Sequence, residues 1–275
     1  MSGHEFDPGP ISEPFATLVR EYPGTEVYPA KHFRVEWGPI FHRGRLDGTA
    51  RVLIMGQDPG QHESIAKRCL VGEAGQRVQG FLSKLGITRS YIAVNAFLYS
   101  VFGQNSGEQH ADDEKIAEYR NRWLDALLLD SPIDAVISFG HLADGALDQW
   151  RNTQPARAAE ILFKALTHPT MPEAAGKDDP VKVASAMKTM LHQYNAALQE
   201  LDGKLGERDE QRELVLYGDT ITQADRATIP EADLPLGAPS WWSAPLPWAA
   251  RVGKTVDEKR ATVVVTVPES LRPWE

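Results

Sequence analysis

Three short polar clusters, each following an apolar run, carry the side chains of this chain best suited to chemistry. RVLIM (51–55) runs into Gly56-Gln57-Asp58-Pro59-Gly60, which places an acid and an amide on the loop that ends a candidate strand. Glycine at each end lets the backbone approach a ligand closely, and the proline stiffens the turn. YIAVN (91–95) closes on Asn95, whose carboxamide offers one acceptor and two donors and can meet the edge of a ring in bidentate fashion. ILFKAL (161–166) leads into Thr167-His168-Pro169-Thr170. Each cluster alone has a plain structural reading: an N-capping Asp in a tight turn, a satisfied turn Asn, a structural His. An acid, an amide and an imidazole brought to one edge of one sheet by three separate strands are harder to explain that way. In open parallel sheets, ligands bind at the carboxyl ends of the strands.

The elements that must position these groups follow a regular alternation. Between residues 50 and 200, short β-branched runs, AVISF (135–139) among them, alternate with longer amphipathic stretches, the signature of βαβ units. Candidate helices cover 72–86, 113–129, 140–151 and 179–201. In the last, Val181, Val183, Ala184, Met187, Met190 and Leu191 recur at helical spacing and predict a buried face. The expected fold is α/β, a three-layer αβα with a central, mainly parallel four-stranded sheet, plus a C-terminal extension. Before it lie a helix candidate at PFATLVREY (14–22) and an irregular aromatic stretch (31–48) that reads as a covering layer. The expected division is an α/β domain over 1–204 and an extension over 205–275. LVLYG (214–218) and TVVVTV (262–267) in that extension are β-like, and Trp241, Trp242, Trp248, Leu236 and Leu246 are expected to anchor it on the main domain or a partner.

Composition narrows the function classes. In 275 residues, 42% are hydrophobic and the net charge is −9, which disfavours a general nucleic-acid binder because phosphate neutralisation needs Lys and Arg. The balance is local, however: acids crowd the C-terminal third, whereas Lys67, Arg68, Arg77, Lys84 and Arg89 fall in the first half, and Lys67, Arg68 and Arg77 are candidate phosphate contacts. The single cysteine, Cys69, excludes an internal disulfide and any site built from several cysteines, and it reads as a small buried hydrophobe. No run approaches the roughly 18 apolar residues of a membrane span, and the N-terminus lacks the basic and apolar regions of a secretory signal. A cytoplasmic, monomeric enzyme without a membrane partner is the expectation.

Taken together, the clusters resemble the uracil-DNA glycosylase superfamily. GQDPG is similar to its first motif through Gly56, Gln57, Asp58 and Pro59, VNAF to the base-recognising segment at Asn95, and HPT to the second motif, His-Pro-Ser, with Thr170 in the serine's place. CLVGEAG resembles the segment before the next helix, and the matches span roughly 50–200 in the family's order. The resemblance implies that Asp58 orients or activates the attacking water and stabilises positive charge on the sugar, while His168 donates to the uracil O2. It implies that Gly56, Gln57, Pro59, Leu70 and Asn95 hold the base, and that Pro169, Thr170 and Met171 form the loop that presses on the phosphates and wedges into the stack, with Lys67 and Arg68 near the DNA. The implied partners are uracil-containing DNA and the abasic product, and no cofactor is implied.

Two positions depart from the family pattern. Gly60 stands where a tyrosine would block the thymine methyl group, and Leu70 stands where a phenylalanine would stack on uracil. The family's iron–sulfur branch needs four cysteines, so this chain falls outside it. Other bases (hypoxanthine, xanthine, mismatched thymine), a non-catalytic binder of uracil or abasic DNA, and an unrelated nucleotide-binding α/β domain stay open as alternatives. GQDPG is neither a phosphate-cradling loop nor a dinucleotide fingerprint, which weighs against the last.

Overall fold

The computed structural model describes residues 6–176, 179–244 and 246–272, so Pro245 of the tryptophan-rich piece and the first five residues lie outside it. The strands are β1 (Arg43–Gly44), β2 (Val52–Gly56), β3 (Tyr91–Asn95), β4 (Ala135–Phe139), β5 (Leu162–Leu166), β6 (Ala249–Arg251) and β7 (Val263–Val265). The helices are α1 (Phe15–Arg20), α2 (Gln61–Ala66), α3 (Glu73–Lys84), α4 (Gln104–Glu108), α5 (Glu114–Leu128), α6 (His141–Thr153), α7 (Pro155–Ala158), α8 (Met171–Gly176), α9 (Pro180–Lys204) and α10 (Val256–Ala261). Among them no helix is long and apolar enough to cross a membrane.

The main sheet has the order β1-β3-β2-β4-β5, with β2 to β5 mutually parallel and β1 antiparallel on the outer edge of β3. Side-chain alternation divides the core between its faces. Leu53, Met55, Ile92, Val94 and Val136 pack with α5 and α6, while Val52, Ile54, Ala93, Ala135 and Ile137 pack with α3 and α9. The layers are therefore αβα. The helices after β2 and β4 lie on opposite faces, which opens a crevice between the carboxyl ends of these neighbouring strands. Asp113 and Asp179 cap α5 and α9 by accepting from amides of the first turn, and Pro180 opens α9, where a missing N–H costs nothing.

The four parallel strands fall within a residue of the runs that predicted them, but the sheet has a fifth strand. β1 came from the stretch read as irregular: two residues carry no alternation to detect. Its Gly44 has φ 103°, and a Cβ there would lie 2.4 Å from the Tyr91 carbonyl oxygen, so the edge pairing needs glycine. The apolar stripe on α9 is buried only from Met187 onward; Val181 and Ala184 are exposed, because the first turns of α9 pack on α8 beyond the sheet.

Residues after 205 are woven into this frame. Asp233 is fully buried, accepting from Arg43 Nη1 at 2.9 Å, Arg45 Nη2 at 3.2 Å and the Tyr91 hydroxyl. Asp209 accepts from the backbone amides of Thr88, Arg89 and Ser90 at 2.7–2.9 Å. Trp248, Ile229 and Leu234 share a cluster with Ala66 and Val71, with Trp241 and Trp242 packed beside them, whereas Leu236 and Leu246 stay exposed and anchor nothing. LVLYG forms no strand: the Asn195 carboxamide takes both backbone groups of Tyr217, at 2.8 and 3.0 Å, in place of a partner strand. TVVVTV supplies β7, paired antiparallel with β6.

Candidate active site

The register of β2 and β3 sets Gly56 opposite Asn95. A Cβ on Gly56 would lie 2.4 Å from Asn95 Oδ1, so the bare glycine is what lets the amide lie across the strand end, with the Leu70 methyl just beyond it. Asn95 Nδ2 donates to Cys69 Sγ at 3.5 Å, a weak acceptor, and Oδ1 is buried with no hydrogen-bond partner. An acceptor left in that state costs about 1–3 kcal/mol, a cost that a ligand donor removes. Leu70 is held at φ 52°, in the left-handed region, and its carbonyl packs so tightly on α3 that a Cβ on Gly75 would lie 1.6 Å from the oxygen. The strained Leu70 and Gly75 thus explain the spacing of CLVGEAG. Burial pushes the Cys69 thiol up and keeps it protonated.

Asp58 is half-buried on the loop after β2 and accepts from the Val101 amide at 3.1 Å. Burial pushes its carboxyl up to about 7; the Val101 bond opposes this, the Glu63 charge adds to it, and the Arg251 and Arg34 guanidinium groups pull the other way. Arg34 is buried between two rings, its guanidinium carbon 4.3 Å from the Trp37 centroid and 4.4 Å from that of Phe102. Glu63, also buried, accepts from the Gly60 amide at 3.0 Å and from those of Val71 and Gly72 at 2.8 and 2.9 Å. It ties the Asp58 loop to the Leu70 segment, and its charge acts on both Asp58 and His168.

Burial likewise drives the His168 imidazole down to about 4, so the ring is neutral at pH 7. Its Nδ1 accepts from the Thr170 amide at 3.4 Å, with the Thr170 hydroxyl 3.2 Å away, which leaves the ring proton on Nε2 as a donor. Arg77 fixes this loop: it donates to the Pro169 carbonyl at 2.5 Å and pairs with Glu173 at 2.5 Å and Glu73 at 2.6 Å. His168, Thr170 and Met171 line a cleft of about 440 Å³ together with Gln57, Gly140 and His141. The Gln57 side chain packs on Gly140 and accepts from the Leu142 amide at 3.4 Å, so it braces the crevice between β2 and β4.

The structure places Asp58, Gln57, Asn95 and His168 at the carboxyl edge of the sheet, with Pro59 and Pro169 buried beneath the loops that carry them. Of the three cations expected near DNA, two are committed to ion pairs within the fold. Arg68 is buried and bound to Asp7 at 2.6 Å, Arg77 is engaged as above, and exposed Lys67 donates to the Trp37 carbonyl. Arg68 and Arg77 therefore hold the fold, because a buried guanidinium needs its counter-charge. Sequence reasoning missed Glu63, Arg34 and the Val101 amide. Glu63 alone had a signal, as the third residue after Gly60 at a helix start, where a carboxylate reaches back to the capping amide.

The family model described as the uracil DNA glycosylase superfamily matches residues 43–198, from β1 to the last third of α9, and leaves out everything later. No curated protein matches the chain.

Proposed function

Because this chain belongs to the uracil DNA glycosylase superfamily and so is a DNA glycosylase of the DNA-repair class, we propose that the base it excises is uracil. The observation that carries this reading is the Asn95 amide, a buried unpartnered acceptor beside a donor engaged only by a thiol. Uracil presents an N3–H donor next to its O4 acceptor and matches that pair, whereas cytosine presents the reverse. The base must leave the stack to arrive there.

Asp58 and His168 then divide the chemistry. Water adds to C1′ as the C1′–N1 bond breaks and its electron pair passes to the uracil ring. Ionised Asp58 takes a proton from that water, and its charge offsets the cation forming on the sugar. A carboxyl at about 7 is well matched to this task near neutral pH. His168 donates from Nε2 to the uracil O2, where charge accumulates, and, because its imidazole is at about 4, it donates as the neutral ring. Uracil departs as the anion and is protonated by solvent, leaving an abasic site. Glu63 and Arg77 position the two loops.

A broader base preference is favoured by Gly60, which offers no side chain against a 5-methyl group. The test is strand scission, after alkali, of matched duplexes carrying uracil, hypoxanthine, thymine opposite guanine, or normal bases. Scission at uracil alone is the expected result, and scission at thymine or hypoxanthine as well selects the broader preference. No scission, with tight binding to uracil or abasic DNA, would overturn the catalytic reading.

A further inference from the structure

We propose that Arg251, carried by the C-terminal β6–β7 hairpin, is a DNA-phosphate contact at the mouth of the base pocket, supplied from outside the segment that the family match covers. The inference rests on the glycosylase reading only in taking DNA as the ligand.

The hairpin is docked beside the catalytic loop. The Ala249 amide donates to His62 Nε2 at 3.2 Å, and the Trp248 ring meets the His62 ring edge-on at 4.8 Å. His62 lies in the first turn of α2, four residues after Asp58. Alternation along β6 puts Arg251 on the same face as Ala249, the face turned to α2. Arg251 is exposed, has no hydrogen bond or ion pair among the described residues, and lies close enough for its charge to act on Asp58. A net charge of −9 makes one cation free at the rim consequential, because the acidic remainder repels the backbone. The planar guanidinium fork suits a phosphodiester.

The experiment measures binding of the full chain to a duplex carrying a tetrahydrofuran abasic analogue across a range of salt. It compares the wild type with Arg251→Gln, Arg251→Lys and Arg151→Gln. Arg151 is exposed in the last turn of α6, where it pairs with Asp148 at 2.8 Å and lies over the Phe163 ring of β5, and it controls for net charge. Arg251→Gln is expected to bind about tenfold more weakly, with the salt slope shallower by about 0.9. Arg251→Lys should restore the slope, which counts charge, and Arg151→Gln should leave it unchanged. In uracil excision, Arg251→Gln should raise KM more than it lowers kcat. An Arg251→Gln protein with the affinity and slope of the wild type overturns the proposal even if uracil is excised. A wild type that shows the Arg251-dependent slope yet releases no base overturns the uracil reading and leaves this one standing. A wild type that binds no DNA overturns both.

Discussion

Asp58 and Asp233 are both drawn out of solvent, yet their surroundings are opposite. Asp233, where the late segment crosses the sheet edge, is met by two guanidinium groups and a phenol. Asp58, on the loop after β2, receives a backbone amide while a second carboxylate, Glu63, acts against its charge. Saturated with donors, a buried carboxylate joins two parts of the chain. Left short of donors, it resists ionisation and becomes a base poised near neutral pH. The contrast separates a carboxylate that holds this fold from the one proposed to work in it.

The sharpest way to break the contrast is Asp58→Asn, which keeps the shape and removes the charge. Uracil excision should fall by roughly 10²–10⁴-fold while DNA affinity is retained; unchanged turnover in single-turnover assays would remove Asp58 from its role. The same variant tests the strain. Burial raises the folded-state Asp58 carboxyl from 3.8 to about 7, so the folded chain holds that proton more tightly than the unfolded one. Wild-type stability should therefore decline as pH rises through this window. The Asn variant should melt above the wild type at pH 8, with the gap closing toward pH 4, and a pH-independent gap would contradict a strained carboxyl.

At the saturated carboxylate, Asp233→Ala should cost about 3–5 kcal/mol in urea unfolding, since it strands Arg43 in the core. A loss below about 1 kcal/mol would mean that the crossing contributes little. The smallest effect sharpens the assignment of groups: kcat/KM should rise with pH to a plateau with its midpoint near 7, as Asp58 ionises. His168, already neutral above about 4, should add no break along that limb, and a second step near 6 would assign it a charged role.

What the sequence disclosed follows from distance along the chain. β2, β3, β4 and β5 could be read because each is a buried run bounded by turn residues, and Asp58, Asn95 and His168 came with them as strand-end residues. Two-residue β1 had no pattern to show. The fate of Arg68 was hidden because its partner Asp7 lies 61 positions away, and a charge that looks solvated in a local window is neutralised by a distant one. Arg251 was hidden the same way: only the docking of Trp248 and Ala249 on His62 brings it to the site.

The Asp233 junction also bears on synthesis. Arg43 and Asp233 are 190 residues apart, so at 5–20 residues per second the arginine is added to the chain roughly ten to forty seconds before its counter-charge. During that interval the sheet edge cannot close without burying a lone cation. A chain released early, even one holding every glycosylase motif, would be left with an open, charged edge strand. Closure of the β1 edge is thus one of the last events in the folding of this chain, since it waits on a residue from the late segment.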